Sequence, residues 1–346
     1  MITPNHIPAH RSPDVAPWPD DLWSKELAGA ARDVKTLLNA VQVHPSNLQY
    51  PADTSAKFPL LVPPSFIARM RKGDADDPLL KQVLPTAEEH KASNEFTGDP
   101  LAETDPNHGF IKAPSLLQKY RGRVLLITTP GCAINCRYCF RREFPYTQHR
   151  PKAHQEALAT VAADPSIEEV ILSGGDPLLF NDRQLSRLLN DIESIPHIQR
   201  IRIHSRIPIV LPERITRGLM EALERCRCQL VLVAHTNHPQ ELNDATARSL
   251  ACLKHCHITL LNQSVLLRSV NEDATTLAEL SKKLFAQGVL PYYLHLTDYV
   301  AGTEHFFIDD DEARKIYAQL QQLLPGYLLP KLVREQPGQA SKTLMY

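Results

Sequence analysis

Three cysteines, Cys132, Cys136 and Cys139, fall within eight residues. Thiolates so spaced can grip one soft metal centre. No fourth cysteine lies close by, so a four-iron cluster held here keeps one iron without a protein ligand. A structural zinc site wants four ligands, and thiolate sites with an open position are usually chemical. Three free buried thiols are the plain alternative, but such thiols seldom cluster at this spacing. The other cysteines, Cys226, Cys228, Cys252 and Cys256, read as packing or exposed thiols; Cys226 and Cys228 are too close together for a standard zinc knuckle. Downstream, Ser173-Gly174-Gly175-Asp176-Pro177 sets paired glycines where backbone can approach a ligand that a side chain would block. By itself that run is an ordinary turn. Its place one βα unit after the cysteines makes it informative.

The elements that must position these residues recur. β-rich runs occur at 124–129, 169–173, 200–204, 229–234, 257–261 and 291–296. Helical patterns lie near 152–163, 182–195, 212–225, 241–253, 274–286 and 310–323. The alternation predicts a parallel sheet with helices outside. Nearly continuous apolar strands suit a sheet covered on both faces. Such units can curl into a barrel or lie open and doubly wound; in both cases the chemistry belongs at the carboxyl ends of the strands. Those ends read Thr129 to Cys132, Ser173 to Asp176, His204 to Arg206, His235 to His238, Asn262 to Ser264, and Thr297 to Asp298, with polar residues at each. Upstream, Pro4, Pro8, Pro13, Pro17 and Pro19 mark a poorly ordered or surface-hugging arm. The spacing predicts a helix over 21–43, a helix entry at Pro63 and Pro64 with its exit at Gly73, and a long polar connector over 85–115.

With 346 residues, 43 % apolar and 22 % charged, the chain can fill two ordinary domains or one large barrel. A formal charge of −1 gives no global attraction to nucleic acid or an anionic membrane. No apolar run nears the length of a membrane span, and the first twenty residues lack the apolar block of a secretory signal. Seven cysteines, an odd number in a long chain, point to a reducing, cytoplasmic setting rather than a disulfide scaffold.

The cysteine motif after the first strand of a βα repeat resembles the radical S-adenosylmethionine (SAM) superfamily, and Gly174 and Gly175 match its glycine-rich SAM turn. Further segments sharpen the likeness: 119–126 ahead of the cysteines, Phe140 to Arg142 behind them, then 202–208, 235–239, 262–268 and 291–295. Together, across roughly residues 60–346, they are similar to the lysine 2,3-aminomutases. The resemblance implies a partial (βα)6 TIM-like barrel of the radical SAM type. It divides the chain into an arm, helical extension and connector over 1–115, a core over 116–323, and a C-terminal segment over 324–346 that carries a lysine for pyridoxal 5′-phosphate (PLP).

The resemblance also implies a site. Cys132, Cys136 and Cys139 hold a [4Fe–4S] cluster whose open iron chelates SAM, with Gly174, Gly175, His204, Arg206 and Gln263 as SAM contacts. Reduction by an electron donor then splits SAM to an adenosyl radical. Ser341-Lys342-Thr343 matches the motif of the lysine that carries PLP. Read without the family, a lysine so near the end of the sequence is a solvated tail residue, and Lys331 is the nearest rival. Tyr120 and Arg123 match residues that hold the PLP phosphate, a task suited to the bidentate arginine fork. Lys119 stands where an arginine is common. Arg141 matches the partner of the substrate α-carboxylate. Asp298 matches one of two acids that bind the ε-ammonium of L-lysine. Glu335 stands where the second, an aspartate in the mutases, is expected; a surface acid is the alternative reading.

Chain length, the segment 62–80 and the ending after Ser341 resemble one subgroup of the family. Its members make (R)-β-lysine from L-α-lysine for elongation factor P, to which a separate lysyl ligase attaches it. Clostridial-type mutases continue past the PLP lysine into a zinc-binding tail, which a sequence closing at Tyr346 is not expected to supply. One rival is a mutase releasing β-lysine as a soluble metabolite. A mutase for glutamate is opposed by the two acids, which repel a γ-carboxylate. A redox-sensing Fe–S protein leaves Lys342, Arg123 and Arg141 unexplained.

Overall fold

The computed structural model describes residues 16–91, 93–146 and 154–346. The expected arm falls largely outside them; of its described part, the Trp18 N–H donates to the Ile215 carbonyl at 3.2 Å. The helix expected over 21–43 is two helices, α1 (Leu22–Ala28) and α2 (Val34–Val41). Between them Ala31 exchanges two main-chain hydrogen bonds with Val62, and Asp33 then caps α2 by accepting from Thr36. That extended pairing breaks the helical run, and the Asp33 cap restarts it. The helix entered at Pro64 ends at once, α3 covering only Pro64–Ile67. Gly73 lies beyond it in a turn with φ of +77°, and α4 (Pro78–Lys81) follows.

The expected repeat is present. Strands β3 (Arg123–Thr129), β4 (Glu169–Gly174), β5 (Arg200–Ser205), β6 (Gln229–His235), β7 (Thr259–Val265) and β8 (Leu290–His295) lie side by side and parallel. Before them come the antiparallel β1 (Ile111–Ala113) and β2 (Leu116–Tyr120). After them come β9 (Lys331–Arg334), parallel to β8, and β10 (Thr343–Leu344), antiparallel to β9. The strand order is β1 to β10 without exchange, and β1 and β10 do not pair. The sheet is therefore open between β1 and β10, a partial barrel as the resemblance implied.

Outside it lie α5 (His154–Ala162), α6 (Asp182–Glu193), α7 (Ile207–Val210), α8 (Arg217–Glu224), α9 (Asp244–His255), α10 (Ala274–Ala286) and α11 (Asp310–Leu323). Their starts are written locally. Asn181, Thr216, Asn243, Asp273 and Asp309 each cap the following helix with a side-chain oxygen. Two helices start later than the apolar spacing suggests, because Pro212 and Pro239 open short 3-10 turns before α8 and α9.

Alternate strand residues share a face. Val124, Leu126, Val170, Leu172, Ile201, Ile203, Leu230, Leu232 and Leu260 pack with the helices in the main core. The opposite face of β5 to β8 carries Arg202, His204, His235, Gln263, Tyr293 and His295. The strands are thus not apolar on both sides; their inner face is polar toward one end. No described helix is long and apolar enough to cross a membrane.

Candidate active site

The cysteine loop leaves β3 and is fastened to the N-terminal extension. Asn135 donates from its main chain to the Leu61 carbonyl at 3.0 Å and from its side chain to the Pro59 carbonyl at 2.9 Å. The Arg137 N–H donates to the Gln82 carbonyl at 2.9 Å. The Arg137 guanidinium is wholly buried and forks onto Glu89, which also pairs with Arg142. Glu89 is held well below the usual carboxylate range: burial opposes its charge, but Arg137 and Arg142 outweigh it.

Burial and the neighbouring Cys139, Asp176 and Cys136 raise the Cys132 thiol far above its ordinary value. Burial and Cys136 push Cys139 up to about 11. The three sulfurs therefore lie within electrostatic reach of one another. They are not closed into a metal-binding group, and no set of three or more His, Cys, Asp and Glu among the described residues is. The Cys136 sulfur is turned instead to the Arg206 guanidinium, 2.6 Å from Nη1.

Arg206, expected at SAM, also donates from Nη2 to Gln82 at 2.7 Å and to Glu241 at 3.1 Å. Its guanidinium is engaged with the cysteine loop and its brace. The glycines of the SAM turn have a packing reason of their own. Gly174 has φ of +107°, a conformation that side chains resist, and a Cβ there would lie 2.9 Å from Ile127. A Cβ on Gly175 would collide with the Gly131 carbonyl. The close approach these glycines permit is that of the cysteine loop's own backbone. Asp176 then locks the end of β4 to the end of β5, accepting from Ser205 Oγ at 2.7 Å and Arg206 N at 2.8 Å. Burial pushes its carboxyl up to about 6, against those hydrogen bonds.

The opposite side of the mouth is built from charges. Arg141 forks onto Glu103, with Nε at 2.8 Å and Nη2 at 2.7 Å. Lys119 bridges Glu103 at 2.9 Å and Glu335 at 2.8 Å. Glu335 also pairs with Lys342. Five charges thus alternate in sign from Arg141 to Lys342. Burial would raise Glu335, but Lys342 and Lys119 outweigh it and hold its carboxyl far below the usual range. Its side chain is only 16 % exposed, so it is no surface acid. Lys342 is 20 % exposed and borders β10, not a free tail. Lys331, by contrast, is exposed at the start of β9.

Asp298 feels this network without an ion-pair partner among the described residues. Burial and the charge of Glu335 push it up to about 7, although Lys342 and Lys119 pull the other way. Arg123 stacks on Tyr120, 4.6 Å from its ring centre, and has no hydrogen bond or ion pair among the described residues. The Tyr120 hydroxyl is raised by burial and by Glu335.

On the inner face between the two sides stand histidines. His204 and His235 meet edge to face at 5.6 Å. Nε2 of His204, His235 and His295 is buried without a hydrogen-bond partner among the described residues. Burial leads in driving all three well below the ordinary histidine value, His235 to about 3. Gln263 lies in register between His235 and Tyr293.

The radical SAM superfamily model matches residues 126–250. The L-lysine 2,3-aminomutase of Escherichia coli is 49 % identical over 325 residues, 93 % of each chain. That of Haemophilus influenzae is 46 % identical over 93 % of this chain and 95 % of its own. The chain belongs to the lysine 2,3-aminomutase family. The Clostridium subterminale member is 32 % identical over 95 % of this chain but only 78 % of its own length. Among solved structures, a radical SAM methyltransferase from Sphaerobacter thermophilus covers 63 % of this chain and 68 % of its own at 15 % identity, with a TM-score of 0.44.

Membership makes the chain an isomerase and implies a [4Fe–4S] cluster, SAM and PLP as cofactors. The donor set suits them: three thiols on one loop with a guanidinium against one sulfur, the Arg123 guanidinium stacked on Tyr120, and the half-buried Lys342. Other members of the site were not singled out from sequence. Glu103, Gln82, Glu89 and Glu241 come from connectors with no periodic signal. His235 and His295 close β6 and β8, where strand-end position was a usable signal.

Proposed function

We propose that this isomerase converts L-α-lysine to (R)-β-lysine, with PLP on Lys342, and that the product serves the β-lysylation of elongation factor P. One observation carries the reading. The same mouth presents a buried guanidinium, Arg141, and a separate acidic pair, Asp298 and Glu335, beside Lys342. That is the charge pattern of an amino acid with a cationic side chain, and it repels glutamate.

When bound, the cluster with SAM supplies hydrogen-atom abstraction and PLP a carbonyl for the migrating amine. Cys132, Cys136 and Cys139 would hold the cluster, and Arg206 would offset the charge of the Cys136 sulfur. Gly174, Gly175, His204 and Gln263 would line SAM. Tyr120 and Arg123 would take the PLP phosphate. Arg141 would fix the substrate α-carboxylate. Glu335 holds an ammonium already, that of Lys342, and with Asp298 would hold that of the substrate. Burial disfavours a charge on the inner histidines, so they add little that would repel a cationic substrate.

Reconstituted protein incubated anaerobically with SAM, PLP, dithionite and L-lysine should yield (R)-β-lysine by chiral chromatography. The lysyl ligase should then load that product onto elongation factor P in preference to L-α-lysine. No β-lysine would overturn the reaction; β-lysine that the ligase ignores would leave it a soluble metabolite.

A further inference from the structure

Arg141 is 5 % exposed, and Glu103 opposite it is 3 % exposed. A guanidinium has three edges that can donate. The edge formed by Nε and Nη2 is filled by the two oxygens of Glu103. Nη1 also donates to Ser173 Oγ at 3.2 Å. Phe140 lies against the plane, 4.8 Å from Cζ to its ring centre. Nη1 meets no carboxylate among the described residues, and its edge shared with Nη2 is the one that suits a second carboxylate, end-on. Glu103 is itself fixed from the other side by Lys119, which is tied to Glu335.

We propose that Glu103 is a positioning residue for substrate recognition: it sets the rotation of Arg141 so that this edge meets the α-carboxylate of lysine. Glu103 lies in the connector ahead of the barrel. It makes that segment part of substrate selection rather than a wrapping alone. A buried carboxylate facing Arg141 could also be a competitor that substrate must displace, but Glu103 occupies a different edge, so both carboxylates fit at once. The inference rests on the assignment of Arg141 to the substrate carboxylate.

The test uses protein loaded with cluster and PLP, without SAM. It compares binding of L-lysine with binding of cadaverine, the same diamine chain lacking the carboxylate. Glu103→Gln should weaken lysine about tenfold or more while cadaverine changes less than about twofold, so that discrimination between them falls. Glu103→Asp, which keeps the charge, should recover part of that discrimination and serves if Glu103→Gln folds poorly. Melting temperature and cluster absorbance report folding. Equal losses for both ligands would reduce Glu103 to a structural role. Tighter lysine binding would make it a competitor. Either result overturns the proposal. Arg141→Gln separates the two levels: if it spares the discrimination, the assignment of Arg141 itself is wrong and the inference falls with it; if it abolishes it while Glu103→Gln does not, only the inference fails.

Discussion

Asn135 and Arg137 tie the cysteine loop to main-chain carbonyls of the N-terminal extension, whereas Lys342 is tied to the barrel through carboxylates. The first side of the mouth is held by directional main-chain hydrogen bonds and by the buried Arg137–Glu89–Arg142 brace, groups with little freedom. The second is held by long charged side chains whose partners can be exchanged, Glu335 serving Lys119 and Lys342 together. A cluster with fixed ligand geometry needs the first kind of wall. The lysine proposed to carry PLP, which would bind and release covalent partners, is served by the second. Altering the cluster ligands should remove a cofactor outright; altering the charges around Lys342 should retune binding.

The largest effects belong to the residues assigned to hold a cofactor directly. Cys132→Ala, Cys136→Ala and Cys139→Ala should each lower bound iron and abolish SAM cleavage, since a thiolate ligand is lost. Cys226→Ala and Cys252→Ala should spare the iron; loss of iron in Cys226→Ala would break the three-cysteine assignment. Lys342→Ala should lose the borohydride-reducible PLP adduct yet keep the Fe–S absorbance, separating the two walls. A labelled peptide containing Lys331 would refute the choice of lysine.

Glu89→Gln tests the brace. It leaves the buried Arg137 and the neighbouring Arg142 without their shared carboxylate, at a cost of about 3 to 5 kcal/mol read by chemical denaturation. A neutral result would mean that the main-chain bonds suffice. On the charged wall, Asp298→Asn should raise the lysine requirement on the order of a hundredfold while leaving substrate-free SAM cleavage unchanged. Glu335→Gln should resemble it, and Glu335→Asp should be milder. Wild-type kinetics for Glu335→Gln would leave Asp298 as the sole ammonium partner.

The smallest effect is a pH dependence. Burial and Glu335 push Asp298 up to about 7, and an ammonium ligand favours its ionised form. Lysine affinity should therefore fall by up to about tenfold per pH unit below 7 and level off above it. Its folded value lies above the ordinary carboxylate value, so the native state holds the proton more tightly. The contribution of Asp298 to stability accordingly declines as pH rises from about 4 to about 7. Asp298→Asn should flatten both profiles, which titrations of binding and of melting temperature can check.

The repeat of strands and helices was legible because each strand and helix carries its own periodicity and caps. β1, β2, β9 and β10 were not, being strands of five residues or fewer that the neighbouring strands create. The single helix expected over 21–43 failed for a tertiary reason, the pairing of Ala31 with Val62. Polar alternation in the strands was masked by apolar inner residues such as Ile127, Ile171 and Val233, which share the face with the histidines. Within the site, motif residues could be placed from sequence. Their partners could not, because Glu103 and Arg141 are 38 residues apart and Lys119 and Glu335 are 216 apart, with only the fold joining them.

The central claim is that both walls act on one lysine. L-lysine carrying deuterium at its β-carbon tests it most directly, in anaerobic turnover with SAM and PLP. The account predicts deuterium in the adenosyl group of recovered SAM together with labelled β-lysine, and neither in Lys342→Ala. SAM cleavage that leaves the adenosyl group unlabelled, with lysine returned intact, would contradict it.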